Sequence, residues 1–305
     1  MDLYFIRQQF TLGAYPALIA LPLPDPSSSD YIPTLLYKIR AHLALGDNST
    51  AIALVPADTE NVALRAAGAL ATGEQGLEAL RDLCVEIEGD EDSEEWEKEI
   101  VQVLAATAFV RAGEIEEALE TLSAEGKTGD EPAALLSQIY LSLARPALAQ
   151  KVLAPALKAN PDALVLQLAE SAISLVTGSQ GTSGNSSLTT IQVANPSISS
   201  AALLVGRAVV RILRGELSAA QSDLEEAESI LSRAKCEQGS SDMLAAMVVA
   251  AGLSGTKKGE ADELWSRLLK QHPSHPMVAD IGAKDLLFNE CASKFEVPPR
   301  AIAVA

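Results

Sequence analysis

Three times along this chain an alanine stands five positions after a turn-type glycine: Gly46 and Ala51, Gly113 and Ala118, Gly215 and Ala220. Apolar residues at helical period surround the last two pairs. One run reads Leu104-x-Ala106-x-x-Phe109-x-x-x-Gly113-x-Ile115-x-x-Ala118-x-x-x-Leu122, and the other reads Leu204-x-x-x-Ala208, then Gly215-x-Leu217-x-x-Ala220-x-x-x-Leu224-x-x-Ala227. Two antiparallel helices approach closely only where small side chains face each other, and glycine closes the short turn between them. A fourth copy carries Tyr140, Ala149, Leu153, Ala156 and Pro161, and a fifth carries Ala261, Trp265, Leu268 and Pro273. In both, the proline lies twelve residues after the alanine and ends the second helix. Strand-type alternation is almost absent. The pattern predicts an all-α array of about eight or nine helix pairs, without a second domain.

The spacing resembles the tetratricopeptide repeat, whose period is about 34 residues. The intervals from Ala51 to Ala118 and from Ala149 to Ala220 are each near two periods, so each hides one weak copy. One is expected near Asn61 to Cys84. The other takes Asp162 to Thr177 as its first helix, followed by a Gly/Ser insert. This resemblance implies a right-handed, curled superhelix over residues 1–297, with loops near 21–33, 124–131 and 178–187 and a tail at 298–305. Pro155 falls inside a second helix and is expected to kink it, and Thr256 occupies a glycine turn position. Because a solenoid keeps neighbour contacts only, each weak copy is expected to lower stability locally.

Composition fits close helix packing: 48% of residues are hydrophobic but only 4% aromatic, so small and aliphatic side chains must form the core. With 23 basic against 41 acidic residues, the formal charge is −18. Phosphate backbones and anionic headgroups repel such a chain, which argues against nucleic acid as a partner and makes any membrane contact indirect. Cys84, Cys236 and Cys291 stand far apart without ligand spacing, as suits reduced thiols. No basic segment followed by an apolar one opens the sequence, and the longest apolar run, Met243 to Leu253, is short of a membrane span. A soluble, cytoplasmic chain is expected.

No catalytic constellation is present, so no enzyme, cofactor, metal or small-molecule substrate is expected. His272-Pro-Ser-His275-Pro reads as an inter-helix turn, since each histidine precedes proline and no acid or cysteine ligand is near. The glycine-rich stretches lack the Lys-Ser/Thr of a phosphate loop. Glu86 to Glu99 is mostly acidic, with Lys98 its only base, and reads as a solvated loop entering a helix N-terminus. Function is therefore expected at the surface. In two-helix repeats the first helices line the concave face, where Val103, Val110, Val205, Val209 and Ile212 are the candidate partner contacts. A mean hydropathy of +0.15 agrees with an apolar groove closed by a partner.

Three ordered segments resemble the epsilon subunit family of coatomer. They are Leu3-x-x-Ile6-Arg7-x-x-Phe10-x-x-Gly13-x-Tyr15, then Leu168-Ala169-x-x-x-Ile173-x-Leu175-x-Thr177-Gly178, then Trp265-x-x-Leu268-Leu269-Lys270 through Ser274-His275-Pro276-x-Val278-x-Asp280-x-x-x-Lys284-x-x-x-Phe288. The resemblance implies a non-catalytic subunit of the COPI coat that curls around the C-terminal domain of the alpha subunit. It implies other coatomer subunits as partners, and a peripheral place on Golgi membranes and COPI-coated vesicles in Golgi-to-ER and intra-Golgi transport. The alternatives are a scaffold of another helical complex or a co-chaperone adaptor that reads a carboxylate-ended peptide. The adaptor needs clustered Lys, Arg and Asn, whereas Arg111, Arg207 and Arg211 are scattered among aliphatic positions.

Overall fold

The computed structural model describes residues 3–89, 93–123, 129–178, 200–234, 239–255 and 259–295. Among the described residues are sixteen α-helices and no strand. Seven helix pairs follow one another: α1 (Leu3–Thr11) with α2 (Tyr15–Ala20), α3 (Tyr31–Ala44) with α4 (Asn48–Leu54), α5 (Val62–Ala71) with α6 (Leu77–Gly89), α7 (Glu95–Ala112) with α8 (Ile115–Ser123), α9 (Asp130–Ser142) with α10 (Pro146–Ala159), α12 (Ala201–Leu213) with α13 (Leu217–Ala234), and α14 (Ser240–Ser254) with α15 (Glu260–Gln271). Two further helices, α11 (Leu164–Thr177) and α16 (Pro276–Ala292), are first helices by their place in this order.

One turn geometry repeats. Gly46, Gly113 and Gly215 have φ of 76°, 85° and 79°, the left-handed region that glycine enters without a Cβ penalty. Behind each, an N–H reaches the carbonyl five residues back: Asp47 to His42, Glu114 to Phe109 and Glu216 to Arg211. These bonds satisfy carbonyls that the helix end would otherwise leave unpaired. Gly13 builds the same turn, with Ala14 N–H on the Gln9 carbonyl. So does Ala144, a non-glycine residue at φ 56°, with Arg145 N–H on the Tyr140 carbonyl. The residue five places on is buried in all five turns: Leu18, Ala51, Ala118, Ala149 and Ala220. The copy without a glycine therefore keeps the turn and carries its strain.

The weak copy expected near Asn61 is α5 and α6. It is no weak point of the core, because α5 buries Val62, Ala63, Leu64, Ala66, Ala67, Leu70 and Ala71. The loop expected through Pro33 ends earlier, at Tyr31. Pro33 sits in the first turn of α3, where a missing N–H costs nothing. Helix α10 runs unbroken from Pro146 to Ala159 through Pro155. Residues 124–128, the Gly/Ser insert beyond Gly178, Cys236, Thr256 and the 298–305 tail lie outside the described residues.

The array is the tetratricopeptide-like solenoid that the spacing predicts, and one seam in it reaches beyond neighbouring pairs. Helix α1 packs on α3, where Ile6, Leu18, Tyr37 and Ala41 form a core. Its last turn continues into Leu12, which is 3% exposed. Leu12 is packed with Leu203 and Val210 of α12 and with Leu164, Leu168 and Leu175 of α11. The first helix thus closes a seam between elements about 150 or more residues downstream. Removing a side chain of that size from water contributes roughly 1.5–3 kcal/mol.

Candidate functional site

The N-terminal ends of α7, α9 and α11 converge on α1 and α3. A polar knot ties them. Arg40 Nη2 of α3 donates to Glu131 Oε2 of α9 at 2.6 Å, and the Tyr37 hydroxyl donates to Glu131 Oε1 at 2.9 Å. The Arg40 guanidinium also lies 4.5 Å from the Phe10 ring centroid and 5.0 Å from that of Tyr37, so α1 joins the same knot. Burial pushes the Tyr37 phenol up, and the Glu131 charge adds to that. Burial also works against the charge on Glu131, but Arg40 and Tyr37 outweigh it and hold the carboxyl below its usual range.

Beside this knot two hollows share Arg7, Trp96, Glu99 and Asp130. The larger, of about 1300 Å³, lies between α7, α9 and α10. Leu136, Val152, Pro155 and Ala156 make its apolar part, and Glu94, Glu95, Glu99 and Asp130 its acidic part, with Arg7 the one lining cation among the described residues. Helix N-termini account for Glu95 and Asp130, which sit in first turns where the dipole favours anions. Glu99 lies deeper along α7. Its carboxylate lies against Gly129 at the start of α9, where a Cβ would have to push it aside. Burial pushes the Glu99 carboxyl up, and the charges of Asp130, Glu131 and Glu95 push it further. The Trp96 indole N–H donates to Glu94 Oε2 at 2.5 Å.

The five apolar candidates take different places. Val103 is 8% exposed and belongs to the buried face of α7. Val110 is half-buried against the large core that runs from α3 to α9. Val205, Val209 and Ile212 are half-buried on α12 against the C-terminal core. None of them lines the groove, which the sequence concealed because its acidic residues read as a solvated run. The one available signal was Trp96, a large apolar residue inside that run.

The cations and nucleophiles have structural partners. Arg207 and Arg211 both grip Asp223, at 2.5 and 2.6 Å, and Asp223 is 3% exposed. They are committed internally and are not open to a ligand carboxylate. His272 Nε2 meets Ser240 Oγ at 2.9 Å, and His275 accepts the Met277 N–H as the N-cap of α16 while its Nε2 meets Asp242 at 3.1 Å. A neutral His275 with its proton on Nε2 satisfies both contacts. The Cys84 thiol is pushed up to about 12, by burial and by the Glu88 and Glu117 charges, which leaves almost no thiolate at neutral pH. Among the described residues no group of three or more His, Cys, Asp or Glu is placed to hold a metal, and no helix is long and apolar enough to cross a membrane.

Comparison with known proteins decides the lineage. The family described as Coatomer epsilon subunit matches residues 1–296. The chain belongs to the coatomer epsilon subunit family. The coatomer subunit epsilon of Caenorhabditis elegans is 26% identical over 293 residues, covering 95% of this chain and 97% of the relative. The probable coatomer subunit epsilon of Schizosaccharomyces pombe is 30% identical over 179 residues, 58% of this chain and 57% of that one. Among solved structures, a tetratricopeptide repeat protein from Parabacteroides merdae covers 81% of this epsilon-family chain and 95% of its own, at 16% identity and a TM-score of 0.50. The hetero-tetramer Cut9-Hcn1 of APC/C gives a TM-score of 0.58 at 14% identity, over 90% of this chain and 52% of that one. At such identities the two structures speak for the fold alone, and that fold is an all-α, tetratricopeptide-like array.

Proposed function

We propose that this chain is a non-catalytic subunit of the COPI coat, and that it binds and stabilises the C-terminal domain of the alpha subunit. The observation that carries this reading is the family match over residues 1–296. Other coatomer subunits are then its indirect partners. Its place is cytoplasmic, peripheral on Golgi membranes and COPI-coated vesicles in Golgi-to-ER and intra-Golgi transport. A formal charge of −18 supports membrane contact through the partner, since anionic lipid repels the chain itself.

In this reading the groove at the N-terminal ends of α7 and α9 is one part of the partner surface. Val110, Val205, Val209 and Ile212, half-buried on α7 and α12, are proposed as separate apolar contacts, with Val103 behind them in the buried face of α7. Affinity purification of the tagged chain from cytosol is the test. Stoichiometric recovery of the alpha subunit with the rest of coatomer is the expected result. Recovery of chaperones or of another helical complex, without coatomer, would overturn the reading.

A further inference from the structure

We propose that the groove between α7, α9 and α10 receives a lysine- or arginine-bearing segment of the partner, its cation seated between Trp96 and the carboxylates of Glu99 and Asp130. This rests on the reading that the chain binds another coatomer subunit, and it adds the chemistry of one contact. The argument starts from volume. About 1300 Å³ is more than one side chain fills, and Leu136, Val152, Pro155 and Ala156 give that space an apolar part. A short peptide segment, with apolar atoms beside its charge, fits these walls.

Charge then selects among segments. Among the described residues, four carboxylates and one guanidinium, that of Arg7, line the groove. Among the described residues no ion pair neutralises Glu94, Glu95, Glu99 or Asp130, whereas Glu131 next to them is paired with Arg40. An acidic segment would meet like charge here, and a cationic one would meet its complement. Trp96 adds the face of an indole ring, the best aromatic surface for an ammonium or guanidinium. Glu94 holds that ring through the indole N–H.

Helix N-termini explain why acids collect at Glu95 and Asp130, but they do not explain Glu99. That carboxylate is half-buried one turn into α7, and burial pushes it up, with the charges of Asp130, Glu131 and Glu95 pushing it further. It lies against Gly129, where a Cβ would have to displace it. Among the described residues only Arg7 opposes that crowding, and a cation delivered by a partner would offset the remaining cost on binding.

The test is calorimetry of the full chain with the C-terminal domain of the alpha subunit, at low and at physiological salt. Glu99→Gln, Asp130→Asn and Trp96→Ala should each weaken binding by about tenfold or more, and the two acid variants should also flatten the salt dependence. Glu99→Gln should melt no lower than the parent, which separates a lost contact from a damaged fold. In a Trp265→Phe background, Trp96 fluorescence should change when the partner is added. A parent that binds while all three variants match it in affinity and salt dependence would overturn the inference and leave the coat reading standing. A parent that does not bind the domain at all would remove both.

Discussion

Arg40 and Glu131 are 91 residues apart in sequence and 2.6 Å apart in space, so α3 is tied directly to α9 across the helices between them. Arg40 is 7% exposed and also stacks near Phe10 of α1. Glu131→Ala would leave a buried guanidinium without its counter-charge. The expected loss is about 3 kcal/mol in chemical denaturation, at the low end for a buried pair because Glu131 retains some exposure. Joint replacement by Met at Arg40 and Leu at Glu131 should recover most of it, since the apolar pair needs no desolvation of charge.

The two neighbouring acids should respond oppositely to pH. Glu131 is held below its usual range in the fold, so its contribution is present above the unfolded value of about 4.3 and is lost as pH falls through the lower folded value. Glu99 is pushed up, so it destabilises the fold at neutral pH and is relieved as pH falls through its raised value. Glu99→Gln should therefore raise the melting temperature at pH 7, with a smaller gain near pH 4. A variant that melts lower than the parent at pH 7 would contradict the crowding of that carboxylate.

Ala144 holds a left-handed φ of 56° at a turn where other copies use glycine. That conformation costs an L-residue roughly 1–2 kcal/mol, and the added freedom of glycine in the unfolded chain returns about 0.4–1 kcal/mol of it. Ala144→Gly should thus stabilise the chain by roughly 0.5–1 kcal/mol in a urea titration. Gly113→Ala and Gly215→Ala should do the reverse.

Ala118 and Ala220 are fully buried, each on the second helix of its pair five residues after the turn glycine. Replacing either with Leu should overpack the pair and cost roughly 1–3 kcal/mol by denaturation. Equal midpoints for both variants and the parent would displace these residues from the contact.

Leu12 tests the closure of the array by its own first helix. Leu12→Ala should cost about 2–3 kcal/mol, since it empties a site bounded by α11 and α12. The loss should reach distant helices: amide exchange in α12 should quicken with that in α1. A loss confined to α1 and α2 would restore a neighbours-only solenoid.

What could be read from sequence was the local part of this design. The glycine-to-alanine spacing records a contact between helices joined by a short turn, so Ala51, Ala118, Ala149 and Ala220 were visible as packing positions. The knot of Arg40, Tyr37, Glu131 and Phe10 was not, because its members come together only through the curvature of the array. Leu12 was hidden for the same reason, with its neighbours beginning at Leu164. The groove escaped notice because acids at helix starts are ordinary, and Glu99 meets Asp130 and Glu131 only through the packing of α7 against α9. The five aliphatic candidates followed from repeat logic, yet helical period alone does not separate the concave face from the buried one, and Val103 falls on the buried face.

Hydrogen exchange of the full chain, with and without the C-terminal domain of the alpha subunit, tests most directly that this chain meets its partner through the converging helix ends. Added domain should slow exchange in residues 3–11, 94–104 and 130–137, the segments that carry Arg7, Trp96, Glu99 and Asp130. Binding that leaves those segments unchanged, or no binding at all, would contradict it.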